Sequence, residues 1–151
     1  MNRTPITGEF ELTANCNFKC SFCYLNHDVY NNELDTQTWK SIFDKAISNN
    51  LLFANLTGGE VFLKKDFIEL YEYLFDRGIK ISIFTNGSLI SDEALQVLSL
   101  KKPQYIAITI YGYDEDSYQY ITRNQYSFDN VKLNITKLRE NNINVLARTI
   151  P

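Results

Sequence analysis

The sequence lacks three features that would each indicate a class of function. No apolar stretch approaches the roughly 18 residues that a membrane-spanning helix needs, and the N-terminal Met-Asn-Arg-Thr-Pro has none of the apolar run of a signal peptide. The formal net charge is −3, so there is no excess of basic residues to bind nucleic acid. We therefore expect a cytoplasmic chain that binds neither membranes nor nucleic acid.

Cysteine is also scarce, because the 151-residue chain has 3 cysteines. They are Cys16, Cys20 and Cys23, and such close spacing in a cytoplasmic chain indicates metal ligands rather than a disulfide framework. A cubane iron–sulfur cluster normally takes four cysteines, so three would leave one iron open to another ligand. Spacing alone also allows a structural zinc site, since His27 follows Cys23 by four positions and would complete a Cys₃His set.

Strand and helix patterns alternate along the chain. Runs of apolar and β-branched residues predict strands over residues 10–13, 51–56, 80–84, 105–110 and 143–150. Apolar residues at helical spacing predict helices over 36–49, 66–75, 91–98 and 127–138, with capping residues at Asp66, Ser91 and Ser127 and a stop at Gly78. This order is typical of parallel βαβ units in a single domain.

Four polar motifs come directly after predicted strands. They are the cysteine segment, Thr57-Gly-Gly-Glu60, Thr85-Asn-Gly-Ser88 and Tyr111-Gly112. Because the loops that follow parallel strands lie at the same edge of the sheet, we expect all four motifs to meet there. The last predicted strand has no helix after it, so we expect an arc completed by another chain, a truncated protein or an exposed edge.

In this order, the motifs resemble those of the radical S-adenosylmethionine (SAM) superfamily, from Glu9 to Ile150. The segments Ile108-Thr-Ile-Tyr-Gly112 and Tyr120-Ile-Thr-Arg123 look most like the peptide- and protein-modifying, SPASM-type branch. The resemblance implies an α/β fold, a partial (β/α) barrel of parallel strands with outer helices. Residues 1–151 would supply about four and a half of its six βα units. The core domain would thus be incomplete at its C-terminal end, and the chain has no further cysteines for an auxiliary-cluster domain.

The resemblance also implies roles for individual residues. Three thiolates would bind a [4Fe–4S] cluster: Cys16, Cys20 and Cys23. The glycine-rich segment would hold the amino group of SAM through Gly58, Gly59 and Glu60, although such a segment is also an ordinary strand-to-helix turn. Phe22 would lie near the adenine or cover the cluster as an apolar lid.

Three further candidates for SAM binding have equally ordinary alternatives. Asn86 would contact the cofactor, yet asparagine before glycine is first a turn residue. Thr109 would hydrogen-bond the ribose, but threonine is common in strands. Arg123 would pair with the SAM carboxylate or a ribose hydroxyl, or else with the acidic residues 114–116.

Five tyrosines lie in the connection after the fourth predicted strand. They could form a docking surface for a peptide, or they could simply pack against the fold with their hydroxyl groups in solvent. They are Tyr111, Tyr113, Tyr118, Tyr120 and Tyr126. Trp39 lies on the apolar face of a predicted helix and is expected in the core.

The leading hypothesis is therefore a radical SAM enzyme, with a [4Fe–4S] cluster and S-adenosylmethionine as cofactors. It would cleave SAM reductively to a 5′-deoxyadenosyl radical for C–H activation on a peptide or protein substrate. An electron donor such as flavodoxin or ferredoxin would supply the electron. The alternatives are a truncated or non-catalytic remnant that binds cluster or SAM, and a zinc-stabilised interaction module.

Overall fold

A parallel β-sheet forms the centre of the structure, a computed structural model that describes residues 5–25, 33–124 and 127–149. All neighbouring strands pair in parallel, and their order in the sheet is their order in the chain. The 5 strands are β1 (Thr7–Glu11), β2 (Phe53–Thr57), β3 (Lys80–Thr85), β4 (Tyr105–Ile110) and β5 (Val145–Thr149). This consecutive order confirms the predicted α/β partial-barrel fold.

Helices connect consecutive strands, as parallel pairing requires. A single 3₁₀ turn at Val61–Leu63 follows β2. The α-helices are α1 (Thr36–Ser48), α2 (Phe67–Phe75), α3 (Asp92–Leu100), α4 (Glu115–Thr122) and α5 (Ser127–Glu140). None of the helices in the described ranges is long and apolar enough to span a membrane.

The core lies between one face of the sheet and the helices. Phe10 of β1 packs edge-on against Phe43 of α1 at a ring separation of 5.1 Å, while Leu56 and Ile83 on the next strands are fully buried. Since side chains alternate across a strand, Glu9 and Glu11 of β1 lie on the opposite face, and both are exposed. Burial on the helix side therefore fixes which strand residues face the core and leaves the strand ends free to carry the site.

Several local predictions are confirmed, and two are corrected. The hydroxyl of Ser91 accepts a 3.1 Å hydrogen bond from the backbone N–H of Ala94 and so caps α3. Gly78 follows α2 with a left-handed φ of 79°. Asp66 precedes α2 but makes no capping hydrogen bond, because its carboxylate binds the hydroxyl of Thr36 instead. Ser127 is the first residue of α5 rather than its cap.

The remaining outcomes concern one strand, one helix, the buried Trp39 and two residues outside the described ranges. The first strand occupies Thr7–Glu11, whereas the sequence predicted residues 10–13, and helix α4 was not predicted as a separate helix. Trp39 is buried as expected. His27 and Tyr126 lie outside the described residues.

Candidate cluster and cofactor site

The three cysteines lie in the segment of residues 13–23 that follows β1, which we call the cysteine loop. Each is partly buried and free of disulfide bonding. The backbone N–H of Cys23 donates to the carbonyl of Cys20 at 3.0 Å, and this hydrogen bond closes a turn between the last two cysteines. Burial, together with the neighbouring sulfurs of Cys16 and Cys23, raises the pKa of the Cys20 thiol to about 11. The three sulfurs therefore lie close enough to influence one another.

The donor set fits an iron–sulfur cubane in its chemistry. Thiolates are the usual ligands of such clusters, and in a cubane each cysteine sulfur binds a different iron atom. Within residues 5–25, 33–124 and 127–149, no three His, Cys, Asp or Glu side chains converge closely enough to hold one metal ion.

The cysteine loop is joined to the glycine-rich segment by backbone hydrogen bonds. The N–H of Gly59 donates to the carbonyl of Thr13 at 2.7 Å, and the N–H of Glu60 donates to that of Asn15 at 2.8 Å. A Cβ atom on Gly58 or Gly59 would lie 2.3 Å from a carbonyl oxygen of the loop, and Gly58 also has a φ of 147°. Both glycines are therefore needed for this close approach.

The side chain of Glu60 is fully buried. Its carboxylate accepts hydrogen bonds from the hydroxyl of Thr85 at 2.6 Å and from the backbone N–H groups of Asn86 at 2.7 Å and Phe62 at 3.2 Å. Burial raises the pKa of Glu60 above its usual value, although the three hydrogen bonds act in the opposite direction. The carboxylate is thus bound by the chain itself, an arrangement that the sequence motif did not predict.

Asn86 faces the cysteine loop with its side-chain amide. Its Nδ2 donates to the Oδ1 of Asn17 at 2.9 Å and approaches the Sγ of Cys16 at 3.9 Å, within the range of a hydrogen bond to sulfur. Its Oδ1 accepts from the backbone N–H and the hydroxyl of Ser88. The predicted turn residue is therefore also a direct neighbour of the first cysteine.

An aromatic cluster lies on the other side of the loop. The ring of Phe22 is half-exposed and stacks on Tyr111 at a centroid separation of 6.0 Å. Tyr111 also packs edge-on against the buried rings of Phe18 and Tyr118. Burial raises the pKa of Tyr111, and the nearby sulfurs of the loop raise it further. Of the five clustered tyrosines, Tyr113 and Tyr120 are the exposed ones among the described residues.

Helix α4 ends against the cysteine loop. The backbone N–H groups of Lys19 and Ser21 donate to the carbonyls of Thr122 at 2.8 Å and Ile121 at 3.2 Å, so the loop satisfies carbonyls that the helix end leaves free. Arg123 terminates α4 in a left-handed conformation with a φ of 57°, and it lines a shallow surface cavity with Asp116. Among the described residues, its guanidinium makes no ion pair.

The structure brings most of the predicted site residues to one place. The glycine-rich segment is hydrogen-bonded to the cysteine loop and Asn86 contacts Cys16, while the half-buried Thr109 lies on β4, two residues before Tyr111. Arg123 is next to the loop only through the end of α4. The sequence analysis missed Asn17 and Asn124, although the Nδ2 of Asn124 donates to the carbonyl of Asn17 at 2.9 Å.

The sequence profile of the Radical SAM superfamily matches residues 10–151. The chain belongs to the radical SAM superfamily. The match runs through all of the motifs described above, from the cysteine loop to β5. It confirms the resemblance that the motifs indicated.

Individual radical SAM proteins are similar over different parts of the chain. The S-adenosylmethionine-dependent nucleotide dehydratase of Selenomonas ruminantium is 39% identical over 85 residues, 56% of this chain and 31% of that protein. The sporulation killing factor maturation protein SkfB of Bacillus subtilis (strain 168) is 32% identical over 144 residues, 95% of this chain and 35% of that protein. The chain thus spans about a third of the length of these curated relatives.

A solved structure supports the fold assignment. Streptococcus suis SuiB bound to precursor peptide SuiA has a TM-score of 0.74 and 18% sequence identity, covering 98% of this chain and 40% of that chain. At this level of identity the likeness establishes the radical SAM core fold.

Proposed function

We propose that this chain is the core of a radical SAM enzyme that acts on a peptide or protein. Cys16, Cys20 and Cys23 would hold a [4Fe–4S] cluster, and SAM would bind beside it. When bound, the cluster supplies the electron that cleaves SAM to methionine and a 5′-deoxyadenosyl radical, which then abstracts hydrogen from a C–H bond of the substrate. A small electron carrier such as flavodoxin or ferredoxin would provide that electron.

The chain's own residues would bind and orient SAM. The backbone carbonyls of Gly58 and Gly59 are the acceptors that we propose for its ammonium group. Glu60 adds negative charge nearby, although its oxygens already accept three hydrogen bonds. Thr109 and Arg123 are proposed for the ribose and carboxylate of SAM, and Phe22 would lie beside the adenine and exclude water from the cluster.

One observation carries the proposal. The Gly-Gly-Glu segment is hydrogen-bonded to two of the three residues that precede Cys16, namely Thr13 and Asn15. A SAM molecule bound to the glycine-rich segment would therefore stand beside the first cluster ligand. This is the juxtaposition that a cluster with one open iron requires.

Anaerobic iron–sulfur reconstitution tests the proposal. We expect a brown protein that contains iron and sulfide and that releases 5′-deoxyadenosine from SAM under a strong reductant. The Cys20→Ala variant should fail to assemble the cluster. A colourless protein that binds one zinc ion per chain would contradict the proposal, and a cluster-loaded protein that does not bind SAM would identify a non-catalytic remnant.

The place of Glu60 in the SAM site is tested separately. The Glu60→Gln variant has nearly the same volume but places an amide donor against one of the backbone N–H groups, so urea denaturation first checks that it is folded. If the negative charge attracts the ammonium group, isothermal titration should show weaker SAM binding by the cluster-loaded variant. An unchanged affinity would remove Glu60 from the SAM site.

We infer the peptide substrate from a relative that aligns over nearly the whole of this chain. SkfB is a maturation protein that aligns over 95% of this chain, whereas the nucleotide dehydratase aligns over 56%. SuiB, with the same core fold, has been captured with its precursor peptide. Incubation of the cluster-loaded protein with SAM, reductant and either candidate precursor peptides or nucleotides would separate the two substrate classes, because only the true substrate should be modified.

A further inference from the structure

Glu33 contacts the side chains of the first residues of the cysteine loop. Its Oε1 accepts a short hydrogen bond from the hydroxyl of Thr13 and a 2.7 Å hydrogen bond from the Nδ2 of Asn15. The carbonyls of the same two residues accept from the N–H groups of Gly59 and Glu60. The segment that leads into the first cysteine is therefore held through its side chains by Glu33 and through its backbone by the glycine-rich segment.

Lys64 holds Glu33 in place. The Nζ of Lys64 lies 3.4 Å from the Oε2 of Glu33, 3.1 Å from the Oδ1 of Asp66 and 2.9 Å from the carbonyl of Leu34. These three acceptors match the three protons of the ammonium group. Because Lys64 follows the Gly-Gly-Glu segment by four positions, it connects Glu33 to the segment that binds the loop backbone, and the contacts close into a ring.

Burial distinguishes the two ion pairs of Lys64, with Glu33 and with the 17% exposed Asp66, from the others in the described part of the chain. The side chain of Lys64 is 6% exposed and that of Glu33 is 30% exposed, whereas the pair of Lys40 and Glu69 between α1 and α2 is 20% and 56% exposed. A buried lysine costs desolvation energy that an ion pair rarely recovers in full. Lys64 stands beside the carboxylate that contacts the cysteine loop, and this placement fits a role beyond stability.

We propose that Glu33 is a positioning residue that fixes the cysteine loop, with Lys64 as the group that orients it. Glu33 binds the Thr13 hydroxyl and the Asn15 amide, and this sets the direction in which Cys16 leaves the strand. The consequence for a cluster rests on the proposed function, but the ordering of the loop does not, and it can be measured without any metal.

The first test measures the reactivity of the Cys16 thiol in cluster-free protein. In a full-length chain with Cys20→Ser and Cys23→Ser, Cys16 is the remaining thiol, and its alkylation by iodoacetamide reports local opening of the loop. Adding Glu33→Ala removes the charged acceptor of two hydrogen bonds, so the alkylation rate should rise by about tenfold. Adding Glu33→Gln keeps one acceptor oxygen and should restore most of the protection.

Glu69→Ala serves as the matched control, because it removes a glutamate that pairs with a lysine away from the loop. It should leave the alkylation rate unchanged. The proposal is overturned if Glu33→Ala reacts no faster than the parent, or if Glu69→Ala accelerates the reaction equally.

The second test uses the chain with all three cysteines. After reconstitution, an iron chelator should extract iron from the Glu33→Ala and Lys64→Met variants about tenfold faster than from the wild type, with Glu69→Ala again unaffected. Equal extraction rates would contradict the positioning role. If the wild type binds no iron at all, the proposed function fails, while the alkylation result still decides whether Glu33 orders the loop.

Discussion

The buried carboxylate of Glu60 accepts a 2.6 Å hydrogen bond from the hydroxyl of Thr85. Glu60 follows the end of β2, and Thr85 is the last residue of β3. The same carboxylate accepts from the backbone N–H of Asn86, which begins the turn that contacts the cysteine loop. One side chain therefore joins the ends of two neighbouring strands at the edge of the sheet that carries the cysteines.

Removal of this carboxylate should destabilise the fold. Glu60→Ala leaves the Thr85 hydroxyl and two backbone N–H groups without their acceptor in a buried place. We expect the free energy of unfolding to fall by about 3 kcal/mol, measured by urea denaturation. Thr85→Val removes a single donor and should cost less, about 1 kcal/mol. A Glu60→Ala protein that unfolds at the same urea concentration as the wild type would refute the linking role.

Gly59 is expected to tolerate no side chain. In Gly59→Ala the new Cβ would lie 2.3 Å from the carbonyl oxygen of Asn15, so the backbone hydrogen bonds to the cysteine loop must lengthen. We predict lower cluster content after reconstitution and a loss of about 1–3 kcal/mol in unfolding free energy. Gly78→Ala is the control, because its Cβ would contact nothing within 4 Å while its φ of 79° is still strained. It should lower stability but leave the cluster content normal.

The strands could be predicted from sequence because each buried strand corresponds to a continuous run of apolar residues. The apolar run Tyr105–Ile110 coincides with β4, since a strand covered by helices needs continuous apolar residues. Helix α4 was missed because its buried residues are Tyr118 and Thr122, too few for a clear helical pattern. The signal that could have found it is the capping box formed by Asp114 and Ser117.

The contacts within the site could be predicted only in part. Parallel topology places the motifs at one edge, which is why the cysteines and the Gly-Gly-Glu segment were expected together. The contact between Asn124 and Asn17 joins residues 107 positions apart, and no local pattern marks either of them. From sequence alone, Glu33 and Lys64 would be predicted to be ordinary surface charges, because nothing in the neighbouring residues indicates their burial.

Asp66 should make stability depend on pH. Burial alone would raise the pKa of Asp66, but hydrogen bonds from Thr36 and Lys64 outweigh it and lower the pKa below its usual value. A carboxylate with a lowered folded pKa stabilises the fold above its unfolded pKa of about 4 and loses this effect as the pH falls through the folded pKa. Asp66→Asn should therefore be about 1 kcal/mol less stable than the wild type at neutral pH, with the difference narrowing below about pH 4.

Urea denaturation over a series of pH values checks this expectation. Asp129→Asn is a suitable control, because that carboxylate is 78% exposed in a surface pair with Lys132 and such pairs contribute little. If the difference between wild type and Asp66→Asn were the same at every pH, the charge of Asp66 would not be what stabilises its contacts.

Asn86 should tune the reduction potential of a cluster held by Cys16. Its Nδ2 approaches the Cys16 sulfur at 3.9 Å, and a donor beside a ligand sulfur favours the more negatively charged, reduced state of a cluster. Asn86→Ala should therefore lower the potential in a redox titration followed by electron paramagnetic resonance. Asn134→Ala is the matched control, since the Nδ2 of Asn134 donates to the carbonyl of Gly87 in the same turn. A potential that is unchanged in Asn86→Ala, or equally lowered in Asn134→Ala, would show that the amide does not act on the sulfur.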